Sequence, residues 1–197
     1  MIQKFKQQKG NAVRKLKKAK AENLVDAAVL PLIDYINSLD DFYTTSSCSG
    51  RISLFCHVAS KLDDFALVKW HRKIDFDEVM EAINSAVDSD SCKGNIWLRQ
   101  ESSIFHIVSR DFDGAVKLLD VALKSGYKNS GIQVLKEGRF MVQVISTERI
   151  DTPITNNGKM LVTENYIKFL VELANEKFGK VNEKLERFEA AVRENLK

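Results

Sequence analysis

The chain has 197 residues, of which 44% are hydrophobic, and a formal net charge of +3. This length and composition allow one sizeable core and predict a globular protein with a single domain over residues 1–197. The apolar runs are too short to cross a bilayer and the first residues lack the apolar segment of a signal peptide, so we expect a cytoplasmic protein without a membrane segment.

Positive charge is concentrated at the N-terminus. Residues 1–20 contain eight lysines and arginines and no acid, which leaves 22 basic and 27 acidic residues, a net charge of −5, for the rest of the chain. This asymmetry predicts a basic arm that binds a polyanion. A solvated tail that contributes only to solubility is the alternative.

Hydrophobic periodicity predicts helices and strands in turn. The first amphipathic helix follows Asn23 and should kink or divide near Leu30, because Pro31 lacks an amide donor. The later predicted elements are strands over 51–58 and 64–70, a helix over 75–88, two strands or one bent strand over 94–111, a helix from Asp111 to Gly126, and two strands joined by a turn at Glu137 and Gly138. Together they indicate an α+β fold with a largely antiparallel sheet and flanking helices.

The C-terminal segment predicts a long helix. Thr163 is a suitable N-cap, and apolar residues repeat at three- and four-residue steps to about residue 195, in one helix or in a pair broken at Gly179. Such a seam needs a partner. Either the long N- and C-terminal helices pack together in a monomer, or the seam forms a homodimer.

The segment FYTTSSCSGRISLF, residues 42–55, concentrates hydroxyl groups in front of a predicted strand. Ser, Thr and Gly are common in turns, so a purely structural turn is one interpretation. The other is a polar concavity formed by Ser46, Ser47 and Ser49, with Arg51 placed to bind a carboxylate or a phosphate.

Several common site types have no support in the sequence. There is no GxGxxG after a strand, no Walker loop and no GxSxG, so a nucleotide or methyl donor would need a site other than a Rossmann turn. Cys48, Cys56 and Cys92 form no CxxC and predict reduced thiols rather than disulfides. With the three histidines they match no metal-ligand spacing, and we expect no metal site.

Two histidines have neighbours that suggest a function. His71 lies between Trp70 and Arg72, an aromatic and cationic group able to stack a base, although an ordinary strand end would have the same sequence. His106 lies on a predicted strand, where a histidine that packs in the core is the simpler interpretation.

Four segments occur in an order and spacing typical of one family. They are FYTTSSCSGRI (42–52), KWH (69–71), SGYKNSGI (125–132) and GKMLVTENYIKFL (158–170). On these segments the chain resembles the tRNA wybutosine-synthesising protein 3 family from about residue 5 to residue 190.

The resemblance implies an S-adenosylmethionine-dependent methyltransferase with an α+β fold that is not the Rossmann methyltransferase fold. The implied partner is phenylalanine tRNA, in which a tricyclic guanosine derivative next to the anticodon is methylated on N4 in wybutosine biosynthesis. Because a sulfonium donor is already a strong electrophile, the enzyme needs in-line placement of the ring nitrogen and an outlet for one proton. A non-catalytic module that binds the anticodon loop is the alternative function.

The resemblance also implies roles for individual residues. His71 and His106 match family histidines and are expected to orient the base or to accept its proton. The expected donor-binding residues are Ser46, Ser47, Ser49, Arg51, Asn129, Ser130 and Gly131, although the serines and Arg51 could instead bind a tRNA phosphate. The expected substrate-binding residues are Trp70, Arg72, Trp97 and Glu101. Many members have proline after the glutamate, where this chain has Ser102.

Overall fold

A computed structural model describes residues 2–58, 64–89 and 91–197. These residues form two compact units that are interleaved along the chain, one of residues up to 49, 103–147 and 181–197, and the other of residues 50–102 and 148–180. Each unit has its own hydrophobic core. The prediction of a single domain over residues 1–197 stays a prediction.

The first unit contains helices α1 (Ile2–Ala21), α2 (Leu30–Ser38) and α4 (Phe112–Lys124), and strands β1 (Phe42–Cys48), β5 (Ile104–Ser109), β6 (Gly131–Lys136) and β7 (Arg139–Ile145). Its sheet has the order β1-β5-β7-β6 and is antiparallel throughout. The main core lies between one sheet face and α2, α4 and residues 185–196 at the end of the chain. On the other face, Phe5 of α1 packs against Tyr43 and Val108.

The second unit contains α3 (Phe76–Asp88) and strands β2 (Arg51–His57), β3 (Phe65–Trp70), β4 (Asn95–Glu101) and β8 (Ile150–Pro153). Its antiparallel sheet has the order β3-β2-β4-β8, and a small hairpin joins β9 (Thr155–Asn156) to β10 (Lys159–Met160). Helix α5 (Glu164–Asn195) begins in this unit. Alternate residues of β2 face a core built with α3 and the first part of α5.

Local sequence explains where several helices begin. Pro31 lies in the first turn of α2, where a missing amide donor costs no hydrogen bond, so the predicted division near Leu30 is confirmed. Asp75 and Glu78 form a capping box on α3, and Asp111 accepts a hydrogen bond from the Gly114 amide at the start of α4.

The α+β class, the antiparallel pairing and the two long terminal helices are confirmed. Helix α5 is continuous through Gly179. Leu16 of α1 borders the core cluster that contains Leu185 and Phe188 of α5, whereas the buried Phe5 binds α1 to the sheet. Among the described residues, no helix is long and apolar enough to cross a membrane.

Two predictions were wrong. The segment 42–48 is an edge strand and not a turn, and only Ser49 and Gly50 form the connection, where Gly50 has a φ of 94°. Cys56 and Cys92 are joined by a disulfide in the core of the second unit, and Cys48 takes part in no disulfide. Both errors arise because strand pairing and cysteine pairing are long-range contacts that local composition does not encode.

Candidate functional site

One row of residues crosses the whole sheet of the first unit. Ser46 pairs with His106, His106 pairs with Gln143, and Gln143 pairs with Gly131. Residues directly opposite each other on neighbouring strands point to the same face. Phe105, Ile107, Val142 and Val144, the neighbours of His106 and Gln143 along their strands, point into the main core, so the row lies on the opposite face.

His106 is held at both ring nitrogens. Ser46 Oγ lies 2.7 Å from Nδ1 and Gln143 Oε1 lies 3.4 Å from Nε2. Because the amide oxygen only accepts, this arrangement places the proton on Nε2 and lets the Ser46 hydroxyl donate to Nδ1. His106 is therefore an oriented, half-buried imidazole and not a core histidine.

A β-bulge shapes the edge strand beside this pair. The register shifts between Thr44 and Ser46, and the Thr45 hydroxyl donates to the His106 carbonyl oxygen. A bulge on an edge strand redirects side chains, and the outcome here is that Thr45, Ser46 and Ser47 all line one cavity.

This cavity, which we call the α1–β1 cavity, has a volume of about 460 Å³. Leu16, Leu24 and Val25 provide an apolar wall, and the hydroxyls of β1 provide a polar one. Lys15 and Arg139 place two positive charges at its border. An apolar wall, hydroxyls and cations together suit a planar heterocycle that carries a ribose and an acidic group.

Tyr43 and Gln8 connect the cavity to the packing of α1. The Tyr43 hydroxyl donates to Gln8 Oε1 over 3.2 Å, and both residues line the cavity. Burial raises the pKa of the Tyr43 hydroxyl above its usual value, although the charge of Arg139 acts in the opposite direction. Tyr43 is therefore a neutral hydrogen-bonding group at neutral pH.

The NSG turn lies at the other end of the row. The Asn129 amide donates to the Ile145 carbonyl, and the Ser130 hydroxyl accepts from the Ile145 amide, so these residues close the end of β7. Gly131 has open space where a side chain would stand. The expected donor-binding role of this turn stays a prediction.

Ser49 has a different environment from Ser46 and Ser47. It is 4% exposed, and both its amide and its hydroxyl donate to Asp26 Oδ2 over 2.8 and 3.0 Å. These bonds fix the end of β1. Ser46 and Ser47 line the cavity, whereas Ser49 bonds to Asp26, and the ligand-binding role expected of the three serines stays a prediction.

Arg51 belongs to the second unit and already has a carboxylate partner. Its Nε donates to Glu101 Oε2 over 2.7 Å, and the two residues pair directly across β2 and β4. Ser102, in the position of the family's proline, does not prevent Glu101 from reaching Arg51. Both side chains line a cavity of about 340 Å³ on the sheet face opposite the core.

Trp97 lies on the same face, where its indole contacts the His57 ring at 5.3 Å between centroids. Within the described part of the chain its buried Nε1 has no hydrogen-bond acceptor. The position agrees with the expected substrate contact, which stays a prediction.

The expected stacking group around His71 is corrected in two places. Trp70 is 8% exposed and packs in the core of the second unit, so little of its ring is available to a base. Arg72 forms two hydrogen bonds to Glu78, the capping residue of α3. This contact raises the pKa of Arg72 and, together with the capping bond, lowers the pKa of Glu78 to about 2.

His71 is exposed in the bend that follows β3. It lies in the second unit with Arg51, whereas Ser46, His106 and the NSG turn lie in the first. The convergence of all these residues on one cleft stays a prediction.

Sequence reasoning missed Gln143, Thr45, Lys15 and Arg139. Gln143 stands in an ordinary apolar strand and gains its significance only from the register with His106. Lys15 was counted among the basic residues of the arm, and only the helix places it at a cavity. Thr45 lies in the hydroxyl-rich segment, and that local composition was the one feature of the sequence that pointed to it.

The fold and the site define a class: an α+β protein with no Rossmann turn, a cavity suited to a heterocycle, and an oriented histidine. Comparison with known proteins identifies the family. The family model described as "Methyltransferase TYW3" matches residues 7–194. The chain belongs to this methyltransferase family.

Curated relatives and solved structures agree with this assignment. A protein from Thermococcus kodakarensis is 38% identical over 95% of this chain and 93% of its own length, and one from Methanocaldococcus jannaschii is 34% identical over 93% and 94%. Both are named tRNA(Phe) 7-((3-amino-3-carboxypropyl)-4-demethylwyosine(37)-N(4))-methyltransferase, the first with the suffix 1. A solved protein from Pyrococcus horikoshii has a TM-score of 0.87 at 36% identity and covers 96% of each chain.

Proposed function

We propose that the protein transfers a methyl group from S-adenosylmethionine to N4 of a demethylwyosine base at position 37 of phenylalanine tRNA. The observation that carries this proposal is the match to curated N4-methyltransferases over about 95% of the chain. The α+β fold agrees with it, and the α1–β1 cavity and the oriented His106 support it.

The reaction needs little from acid–base groups. When bound, the donor supplies an electrophilic methyl group on a sulfonium. The N4–C bond forms as the C–S bond breaks, and one proton must leave the nitrogen. The protein therefore has to hold the base in line and accept a proton.

Ser46 and His106 suit that second task. The Ser46 hydroxyl lines the cavity and also donates to His106 Nδ1, so it can accept a proton from a bound base while passing its own to the imidazole. Gln143 fixes the ring through Nε2. The same pair can orient the base by hydrogen bonds if solvent takes the proton.

The α1–β1 cavity fits the methyl donor on the chemistry of its lining. The apolar wall with Leu16 and Val25 suits an adenine ring, and the hydroxyls of Thr45 and Ser47 suit a ribose. Lys15 or Arg139 would pair with the carboxylate of the donor. These residues, together with Ser46, replace Ser49 and Arg51 as the donor-binding set that we propose.

Helix α1 provides a surface for tRNA phosphates. Lys4, Lys6, Arg14, Lys15, Lys17 and Lys18 are all exposed along it. Lys9 and Lys20 are the exceptions, because they bond to the Leu39 carbonyl and to Asp34. The basic arm is thus a helix anchored by Phe5 that presents a row of cations.

The experiment is a methyl-transfer assay with the full chain. Phenylalanine tRNA that carries the 7-(3-amino-3-carboxypropyl)-4-demethylwyosine base is incubated with S-adenosylmethionine, and the digested nucleosides are analysed by mass spectrometry. We expect one added methyl group on the tricyclic base, none without the donor, and none on tRNA with unmodified guanosine 37. A non-catalytic anticodon-loop module would bind both tRNAs and methylate neither, which would contradict the proposal.

A further inference from the structure

Among the described residues of the second unit, the helices pack on one face of its sheet and none packs on the other. Helix α3 and the first part of α5 pack on the first of these faces, against Ile52, Leu54 and Cys56. The uncovered face, which we call the open face, presents Ser53 and Phe55 from β2 and their partners on β3 and β4. A cavity of about 340 Å³ lies on it.

Ser53 forms the floor of this cavity. It pairs with Lys69 on one side and with Arg99 on the other, so its hydroxyl stands between two cationic side chains. Ser53 is only 2% exposed and lines the cavity, so its hydroxyl is fixed in place by the strand that carries it.

Lys69 supplies a positive charge that no acid neutralises within the described residues. Its side chain is exposed at the border of the cavity. The lining carries three cations, Arg51, Lys69 and Arg99, and two acids, Asp64 and Glu101, and both acids already accept hydrogen bonds from within the unit. This set suits an anion with several oxygens.

Arg99 is held firmly in position. It donates to Asp151 over 2.8 Å and to His57 Nε2 over 2.6 Å, and its guanidinium lies 4.0 Å above the Phe55 ring. Because arginine can only donate, His57 Nε2 accepts, and the ring proton lies on Nδ1, 2.6 Å from Asp64. The network orients Arg99 before any ligand arrives.

Aromatic groups adjoin the same cavity. Phe65 lines it and is 43% exposed, and Phe55 lines it beneath Arg99. Phe65, at the start of the edge strand β3, is the exposed ring of this cavity. Proteins bind unpaired nucleic acid with cations that contact phosphates and aromatic rings that stack on bases.

We propose that this cavity binds a phosphate of an unpaired RNA nucleotide through Ser53, Lys69 and Arg99, with the adjoining base stacked on Phe65. This inference rests on the proposed function for its choice of RNA, and it assigns the open face as a contact of the second unit with the loop of the substrate. Arg51, which lines the same cavity, contributes to the positive field and not to the donor site.

The test measures RNA binding without any methyl donor. A short fluorescein-labelled oligoadenylate is titrated with the full-length protein, and anisotropy is recorded over a range of salt concentrations. Lys69→Gln should weaken binding about tenfold, as for loss of one charged hydrogen bond, and lower the slope of log affinity against log salt by about 0.7. Phe65→Ala should weaken binding about tenfold, and Phe65→Tyr should restore it.

Lys159→Gln is the matched control. Lys159 is an exposed lysine of the same unit on the β9–β10 hairpin, whose Gly158 faces Val87 of α3 and not the open face. This variant should bind like the parent. Ser53→Ala, which removes only the buried hydroxyl, should weaken binding about fivefold without changing the salt slope.

The outcomes separate this inference from the proposed function. Variants at Lys69 and Phe65 that bind RNA like the parent overturn the inference even if methyl transfer is normal. A parent protein that binds RNA through these residues but never methylates supports the inference and overturns the proposed function. Competition by adenosine monophosphate as strong as that of the oligonucleotide would overturn the assignment to RNA in favour of a free nucleotide.

Discussion

The two units have the same architecture and different surface chemistry. Each has a four-stranded antiparallel sheet with its main core on one face, and in the first unit α1 also packs on the other face. On the other face the first unit presents a neutral row of Ser46, His106 and Gln143, whereas the second presents Lys69 and Arg99 with aromatic rings. Neutral hydrogen-bonding groups suit the orientation of a base and the transfer of a proton, and fixed charges suit phosphates.

The units also differ in how their cores are held. The second unit has the disulfide between Cys56 and Cys92, which closes a 36-residue span from β2 to the segment before β4. The first unit contains Cys48, which forms no disulfide. Covalent closure therefore stabilises the unit whose open face must hold charged side chains in place.

The largest expected effect is on stability. Reduction of the disulfide should lower the free energy of unfolding of the second unit by about 4 kcal/mol. A cross-link across a loop of this length lowers the conformational entropy of the unfolded chain by an amount worth about that much free energy. Guanidinium unfolding followed by tryptophan fluorescence measures it, since Trp70 and Trp97 both lie in this unit. Cys48→Ala should change the midpoint far less, and identical oxidised and reduced midpoints would show that the disulfide has no such role.

The next effect concerns catalysis in the first unit. His106→Ala should lower kcat about a hundredfold, the low end for loss of general-base assistance, with little change in KM for tRNA. Ser46→Ala should lower kcat about tenfold.

His106→Gln separates the two roles of the histidine. If His106 accepts the proton, the pH dependence of kcat should flatten in this variant. If His106 only orients the nucleobase, the variant should keep much of the activity. A raised KM with normal kcat in His106→Ala would place tRNA binding, and not chemistry, at this row.

A smaller effect is expected at α1. Lys17→Gln with Lys18→Gln removes two exposed charges and keeps helix propensity. The slope of log tRNA affinity against log salt should fall by up to about two units, while affinity for S-adenosylmethionine stays unchanged. Deletion of α1 would not replace this experiment. Phe5 of α1 is 1% exposed and packs against β1, so its removal would expose part of the sheet as well as remove the charges. A parental salt slope would show that these charges only solvate the helix.

The smallest expected effect tests whether Arg72 acts as the partner of Glu78 and not as a substrate-binding residue. The carboxyl of Glu78 has a pKa of about 2, lowered chiefly by the hydrogen bond from Arg72. Its contribution to stability is therefore present above the ordinary glutamate value of 4.5 and is lost as the pH falls towards 2. Carboxyl NMR should show this low titration and its return towards 4.5 in Arg72→Gln. Weaker tRNA binding by Arg72→Gln would restore the substrate-binding role predicted from the sequence.

The sequence predicted most elements to within a few residues. The strands at 51–58 and 64–70, the capped helices at 75–88 and from Asp111, and the turn at Gly138 are all present. These features depend on local patterns, namely alternation, caps and glycine at a positive φ, and local patterns survive without knowledge of the fold. The division near Pro31 was predictable for the same reason.

The site was predicted in residue type and not in grouping. Ser46 and His106 are far apart in sequence, and only the β1–β5 register brings them to 2.7 Å. Ser49 and Arg51 are near neighbours of Ser46 in sequence, yet one bonds to Asp26 and the other to Glu101. Residues that are close in sequence can belong to one motif and still have different partners. Successive side chains of a strand point to opposite faces, and the turn at Ser49 and Gly50 separates β1 from β2.

The sequence by itself determined the fold class, the family resemblance and the basic N-terminal segment, because each is encoded in composition, periodicity or a short motif. Only the tertiary structure decided that the hydroxyl-rich segment is an edge strand with a bulge, that Cys56 meets Cys92, that Trp70 is buried, and that Ser53 lies between Lys69 and Arg99. The physical reason is that strand register and core packing are contacts between distant segments, and their energies depend on which surfaces meet rather than on any local stretch of residues.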